Sequence, residues 1–150
     1  MASKNPNALI VASEVYLSGI GSLLKNIAKN SLKNIKIFDE DVRQLLLKLP
    51  NKILDEIYII CPDPWPKARH HKRRLIQHDF LKVLARVLKK DGIVYISTDW
   101  ENYAETIKDA LERSDYFSNI KTEKRLTFSK FENRGMEEGR KIFEFSYIRN

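Results

Sequence analysis

The chain has 150 residues, of which 43% are hydrophobic and 31% charged, and it carries a formal net charge of +7. That length suits one domain, predicted over 1–150, and no run approaches the 18 apolar residues of a membrane span or the basic-then-apolar pattern of a leader. The single cysteine, Cys61, excludes an internal disulfide and a multi-cysteine zinc site, and it predicts a reducing, cytoplasmic setting.

In chain order, Ala8-Leu9-Ile10-Val11-Ala12 predicts a buried strand with Glu14 just beyond its C-terminal end. Ile20, Leu23, Leu24, Ile27 and Ala28 recur at three and four and predict a helix, with Asn30 where a cap falls. Ile35-Lys36-Ile37-Phe38 is a second strand, followed by Asp39-Glu40-Asp41 and a helical stripe of Val42, Leu45, Leu46 and Leu49. Ile57 to Cys61 is a third strand, stopped by Pro62. Phe80 to Leu88 predicts a helix closed by Lys89-Lys90, with Asp91-Gly92 as the turn beyond it. Ile93 to Ser97 is a fourth strand. Glu101 to Leu111 is helical, with Tyr103, Ile107, Ala110 and Leu111 on its apolar side. Residues 127–135 read as a polar loop, and Ile142 to Ile148 alternates as a half-exposed strand, antiparallel at or near a sheet edge.

Strand and helix in alternation predict a doubly wound α/β sheet, whose ligands collect outside the C-terminal ends of the parallel strands. Glu14, Asp41, Asp63 and Asp99 each follow one of those strands, so the pattern predicts convergence on a single rim. Glu14 stands where such folds place a carboxylate that accepts from ribose hydroxyls, although a helix-start acid has the same appearance. A glycine-rich turn belongs about 20 residues before that acid. Here thirteen residues precede it and none is glycine, while Gly19-Ile20-Gly21 follows it and reads as a turn or helix start. The first strand and glycine loop of such a fold are therefore expected to be absent.

Pro62-Asp63-Pro64-Trp65-Pro66 is stiffened by three alternating prolines, which predicts that Asp63 and Trp65 are held extended at the rim. A carboxylate there can accept from the N1 and N2 hydrogens of guanine, and an indole can stack. Lys67 to Arg74 follows with five formal positive charges and no acid, a density suited to a phosphate backbone or simply to solvent. All the excess charge lies in the first hundred residues. The last fifty balance ten Lys/Arg against ten Asp/Glu. His70 and His71 are adjacent, which is poor spacing for one metal, so no metal site is expected and both read as phosphate or loop contacts. His78 reads as a helix-start residue, and Asp99 as a substrate contact or a helix cap.

Pro62-Asp63-Pro64-Trp65-Pro66-Lys67, Arg69-His70-His71-Lys72-Arg73-Arg74, Thr98 to Ala104, and Lys130-Phe131-Glu132-x-Arg134-Gly135 together resemble the bacterial tRNA (guanine-N7)-methyltransferases. The resemblance runs essentially over 1–150. It implies a partial class I S-adenosylmethionine-dependent methyltransferase domain, a Rossmann-like sheet with helices on both faces, acting on guanine 46 in the variable loop of tRNA. By resemblance Glu14, Asp41 and Asp63 bind the donor, and Asp63 is also the catalytic position. Lys67, Arg69, Lys72, Arg73, Arg74 and Asp99, with Ser129, Lys130, Phe131 and Glu132, bind tRNA or its target base. Ala68 stands where a second lysine is common, and Ser129 replaces a usual threonine. A chain lacking the family's N-terminal segment is expected to be marginally stable or to self-associate through an exposed sheet. The competing readings are a catalytically inactive tRNA-binding remnant, a different nucleotide-dependent α/β enzyme, and a fragment that completes its sheet with a partner.

Overall fold

Short apolar runs supply most of the strands and apolar stripes at helical spacing most of the helices, and the computed structural model, which describes residues 1–121 and 128–150, follows that division closely. Two compact units are formed, Met1–Leu49 and Pro50–Asn150.

In the first unit, β1 (Ile10–Ser13), α1 (Leu17–Lys29), β2 (Ile35–Phe38) and α2 (Val42–Lys48) follow one another. β1 and β2 pair in parallel, from Ile10 opposite Ile35 to Ser13 opposite Phe38. The strand expected to be buried is only half covered: its residues alternate between partial and full exposure, and Leu9 is 63% exposed. Among the described residues β2 is its single hydrogen-bonded neighbour, and α1 buries no residue completely. Gly19 and Gly21 lie inside α1, so the Gly-x-Gly is a helix start and not a phosphate loop.

In the second unit, β3 (Leu54–Ile60), α3 (His78–Val87), β4 (Leu88–Thr98), α4 (Glu101–Glu112), β5 (Phe117–Asn119), α5 (Lys130–Glu137) and β6 (Phe143–Arg149) build a sheet in the order β3-β4-β6-β5. β3 and β4 are parallel, with Ile57 to Ile60 opposite Val94 to Ser97. β6 runs antiparallel between β4 and β5, as its alternation predicted. Among the described residues the strands pair as a two-stranded sheet in the first unit and a four-stranded sheet in the second. The core of this unit is Leu81, Leu84, Val87, Leu88, Val94, Ile96, Tyr103, Ile107 and Leu111. Burying such a set is the main favourable term in folding, at about 25 cal/mol per Å² of apolar surface.

Three local expectations are corrected. The third helix ends at Val87, because Leu88 already pairs with Leu54 in β4. Lys89 and Lys90 therefore lie in the strand, where a register irregularity accommodates Asp91 at φ +63°. A Cβ at Gly92 would meet the Lys89 carbonyl at 2.9 Å and the Asp55 carbonyl at 3.0 Å, so the chain approaches itself too closely there for a side chain. The short β5 was not foreseen. Finally, the polar stretch read as a loop contains α5; Thr127 lies outside the described residues.

Candidate functional site

Parallel pairing puts the ends of β3 and β4 side by side, and the Cys61 amide extends that pairing by donating to the Ser97 carbonyl at 2.9 Å. Cys61 lies just past β3 and has φ +46°, which turns the chain out of the sheet into Pro62-Asp63-Pro64-Trp65-Pro66. Asp63 is exposed, and no hydrogen bond engages its carboxylate among the described residues. Trp65 is not extended as predicted. It has φ +45°, a left-handed conformation that costs about 1–3 kcal/mol and persists only where surroundings enforce it. The enforcement is visible. The Arg73 guanidinium lies 5.0 Å from the indole centroid, His70 meets the ring edge-on at 5.9 Å, and the carbonyl of Pro64 accepts from Arg74 Nε at 2.8 Å.

The basic run forms a 3₁₀ segment over Ala68–Arg73. Lys67, Arg69, Lys72 and Arg73 are exposed, as a phosphate-binding face requires. Arg74 is not. It is 3% exposed, and its guanidinium donates to Pro64 O, Thr106 Oγ1 and Asn102 Oδ1, each at 2.8 Å, while lying over the Tyr103 ring. Its expected place on the tRNA backbone is corrected on that geometry, since its donors face inward. Burial also lowers its pKa, with the Tyr103 side chain acting in the opposite sense.

Asp99 follows β4 directly. It does not cap α4, whose N-cap is Trp100; instead Asp99 Oδ2 accepts from Arg140 Nε at 2.7 Å. α5 opens with a capping box. Ser129 Oγ accepts from the Glu132 amide at 3.2 Å, and a Glu132 carboxylate oxygen accepts from the Ser129 amide at 2.7 Å. Glu132 is fully buried and its other oxygen accepts from Ser97 Oγ at 2.7 Å. Ser129 and Glu132, expected on substrate, therefore fasten α5 to the end of β4, while Lys130 and Phe131 face outward. Arg140, Asn102, Thr106 and the Tyr103 hydroxyl were missed by sequence reasoning. Only Asn102 and Thr106 left a trace, sharing one face of α4 at i and i+4.

In the first unit, Glu14 and Asp41 both follow the C-terminal ends of the parallel pair β1 and β2. Two of the four strand-end acids thus belong to each unit. One Glu14 oxygen accepts from the Tyr16 amide at 2.9 Å, and a Cβ at Gly19 would come within 2.9 Å of the other. This part-exposed carboxylate keeps lone pairs for a diol. Asp41 is more committed. It is the N-cap of α2 and is gripped by Arg43 through Nε and Nη2. The Arg43 hydrogen bonds hold its carboxyl below the usual carboxylate range.

The chain is similar to known proteins over nearly its whole length. Residues 1–145 match the family profile Methyltransf_4, described as "Putative methyltransferase". The tRNA (guanine-N(7)-)-methyltransferase of Nitrosomonas europaea is 41% identical over 99% of this chain and 69% of its own length. That of Nitrosospira multiformis is 40% identical over 96% and 66%. The chain thus spans about two thirds of the length of these relatives. Among solved structures, an rRNA methylase from Streptococcus thermophilus gives a TM-score of 0.64 at 9% identity, covering 94% of this chain and 73% of that one. SMU.1697c from Streptococcus mutans, solved in complex with SAH, gives 0.59 at 10% identity, covering 95% and 76%.

Proposed function

We propose that this chain, which belongs to the tRNA (guanine-N(7)-)-methyltransferase family, transfers a methyl group from S-adenosylmethionine to N7 of a guanine in tRNA. Its fold is the class I methyltransferase fold, as its likeness to solved methyltransferases shows. Guanine 46 of the variable loop is the target that the sequence resemblance implies. The observation that carries the reading is the exposed, unengaged Asp63 in a rigid proline loop, beside four outward cations, in a chain 41% identical to such an enzyme.

Bound S-adenosylmethionine supplies an electrophilic methyl group on a sulfonium sulfur. The residues present fit part of it: the Glu14 carboxylate, with lone pairs to spare beside Gly19, suits the ribose hydroxyls. Asp41 reaches the donor only at the expense of its Arg43 contacts. Guanine N7 presents a lone pair and no proton, so no residue of this chain needs to act as a general base. The work left to the protein is positioning and electrostatics. Asp63 is proposed to orient the base through its N1 and N2 hydrogens and to stabilise the ring as it becomes cationic. Lys67, Arg69, Lys72 and Arg73 are proposed to hold the phosphate backbone while the base leaves its stack. Asp99, Lys130 and Phe131 are proposed to meet the substrate beside them. A reaction on tRNA and a single cysteine both favour the cytoplasm; among the described residues no helix is long and apolar enough to cross a membrane.

A second reading is a tRNA-binding remnant without methyl transfer. It is favoured by the Arg43 grip on Asp41. Calorimetric titration of S-adenosylmethionine into the folded chain separates the two. Saturable binding that Glu14→Ala abolishes supports the enzyme, whereas tRNA binding without donor binding supports the remnant.

A further inference from the structure

Among the positive charges of the basic run, the one with the richest set of internal bonds is Arg74. Its three nitrogens each have a different partner, and the partners come from two distant stretches of chain. Nε donates to Pro64 O, inside the proline loop. Nη1 and Nη2 donate to Thr106 Oγ1 and Asn102 Oδ1, on α4. The Thr106 hydroxyl donates its own proton to the Asn102 carbonyl at 3.0 Å, which leaves its oxygen free to accept from Arg74. The guanidinium centre lies 4.8 Å from the Tyr103 ring centroid, and the Tyr103 hydroxyl accepts from the Ile76 amide at 2.9 Å. Gln77 closes the arrangement by donating to the carbonyls of Lys72 and Arg74.

We propose that Arg74 is a positioning residue of the methyl-transfer site, a three-way latch that sets the proline loop carrying Asp63 and Trp65 against α4. The inference rests on the function proposed above. It deepens that function by separating the run into cations that touch RNA and one that shapes the surface they stand on. With Arg74 fixed at one end and Pro64 at the other, the intervening Lys67 to Arg73 have little freedom. Arg73 then lies over Trp65, and the left-handed Trp65 backbone is held in place. A planar fork with divergent donors is needed for this task. Lysine offers a single point of charge and cannot span Pro64, Asn102 and Thr106 together.

The test compares the parent chain with Arg74→Lys, Asn102→Ala and Arg73→Ala, using unmodified tRNA and S-adenosylmethionine. Asn102→Ala alters an exposed position on α4 and guards against a failure of Arg74→Lys to fold. Arg74→Lys and Asn102→Ala should each lower kcat by roughly 10-fold or more, while the salt dependence of tRNA binding keeps the parental slope. Arg73→Ala should instead reduce that slope by about one. Without any substrate, hydrogen exchange over residues 62–73 should quicken in Arg74→Lys and Asn102→Ala. A reduced salt slope in Arg74→Lys, or parental exchange over 62–73 in both latch variants, overturns the proposal. If the parent transfers no methyl group, the functional reading fails, and the exchange measurement still decides whether Arg74 holds the loop.

Discussion

Gly135 leaves the space in which the Asp99 carboxylate sits: a Cβ built at Gly135 would come 2.8 Å from Asp99 Oδ2. The same oxygen accepts from Arg140 Nε at 2.7 Å, so the carboxylate cannot retreat without giving up that ion pair. Gly135→Ala should therefore displace Asp99. In the helix interior alanine is favoured over glycine by about 1 kcal/mol, so stability should change little. The predicted outcome is a melting midpoint close to the parent's, with kcat/KM lowered roughly 10-fold, in line with losing one substrate-positioning contact. Parental kinetics in a well-folded Gly135→Ala protein would exclude Asp99 from the site.

Glu132 ties α5 to β4 through Ser97 and through its half of the capping box. Glu132→Ala leaves the Ser97 hydroxyl and the Ser129 amide without that acceptor. The expected loss is about 2–4 kcal/mol in denaturant unfolding, since unsatisfied buried groups cost about 1–3 kcal/mol and a lost cap about 1 kcal/mol. Glu132→Gln retains a capping-box residue and should recover at least half of the loss. Equal losses for both variants would mean that the charge of Glu132, more than these hydrogen bonds, holds the element.

Tyr103 supplies a pH signature. Burial pushes its hydroxyl up from 10.0 to about 12. In the unfolded chain the phenol ionises first, so the folded state is progressively disfavoured as pH rises from about 10 to about 12. Below pH 10 the contribution is fully present and flat. That rise in pKa corresponds to about 3 kcal/mol at its limit. Tyr103→Phe removes the titrating group along with the acceptor for the Ile76 amide. The variant should be less stable than the parent at pH 8, and the two unfolding free energies should converge toward pH 12. Parallel curves across that range would show that Tyr103 does not titrate with folding.

Much of this was legible in the sequence, for physical reasons that differ by element. α4 announced itself because Tyr103, Ile107 and Leu111 recur at helical spacing and all three are buried. β6 was legible from its alternation, but the half-exposed face expected of it is not found, because pairing with β4 on one side and β5 on the other leaves none of its residues fully exposed. α5 was misread because its apolar content is low, although Ser129-x-x-Glu132 is a helix-start pattern that identifies it. The end of α3 was misplaced because Lys89-Lys90 suit a helix terminus as well as an exposed strand, and only the pairing of Leu88 with Leu54 decides. Arg74 is the clearest limit. In sequence it is one more cation in a basic run. Its inward turn depends on acceptors 28 and 32 residues away.

Asp63 is expected to act on the reaction more than on affinity. Asp63→Ala should lower turnover by roughly 100-fold, the scale of removing one electrostatic contact in a transition state, with tRNA affinity changed by less than about threefold. Filter binding and single-turnover methylation on the same samples check the split. A loss confined to affinity would reassign Asp63 to tRNA docking.

Methyl transfer to guanine N7 is tested by following methyl-labelled S-adenosylmethionine into unmodified tRNA, with the modified position mapped by chemical cleavage at 7-methylguanosine. One labelled site is expected, a guanine in the variable loop, with label incorporated roughly 100-fold more slowly when Asp63→Ala replaces the parent. Folded chain that binds both tRNA and donor yet leaves the tRNA unlabelled, or labels a base other than guanine, would contradict it.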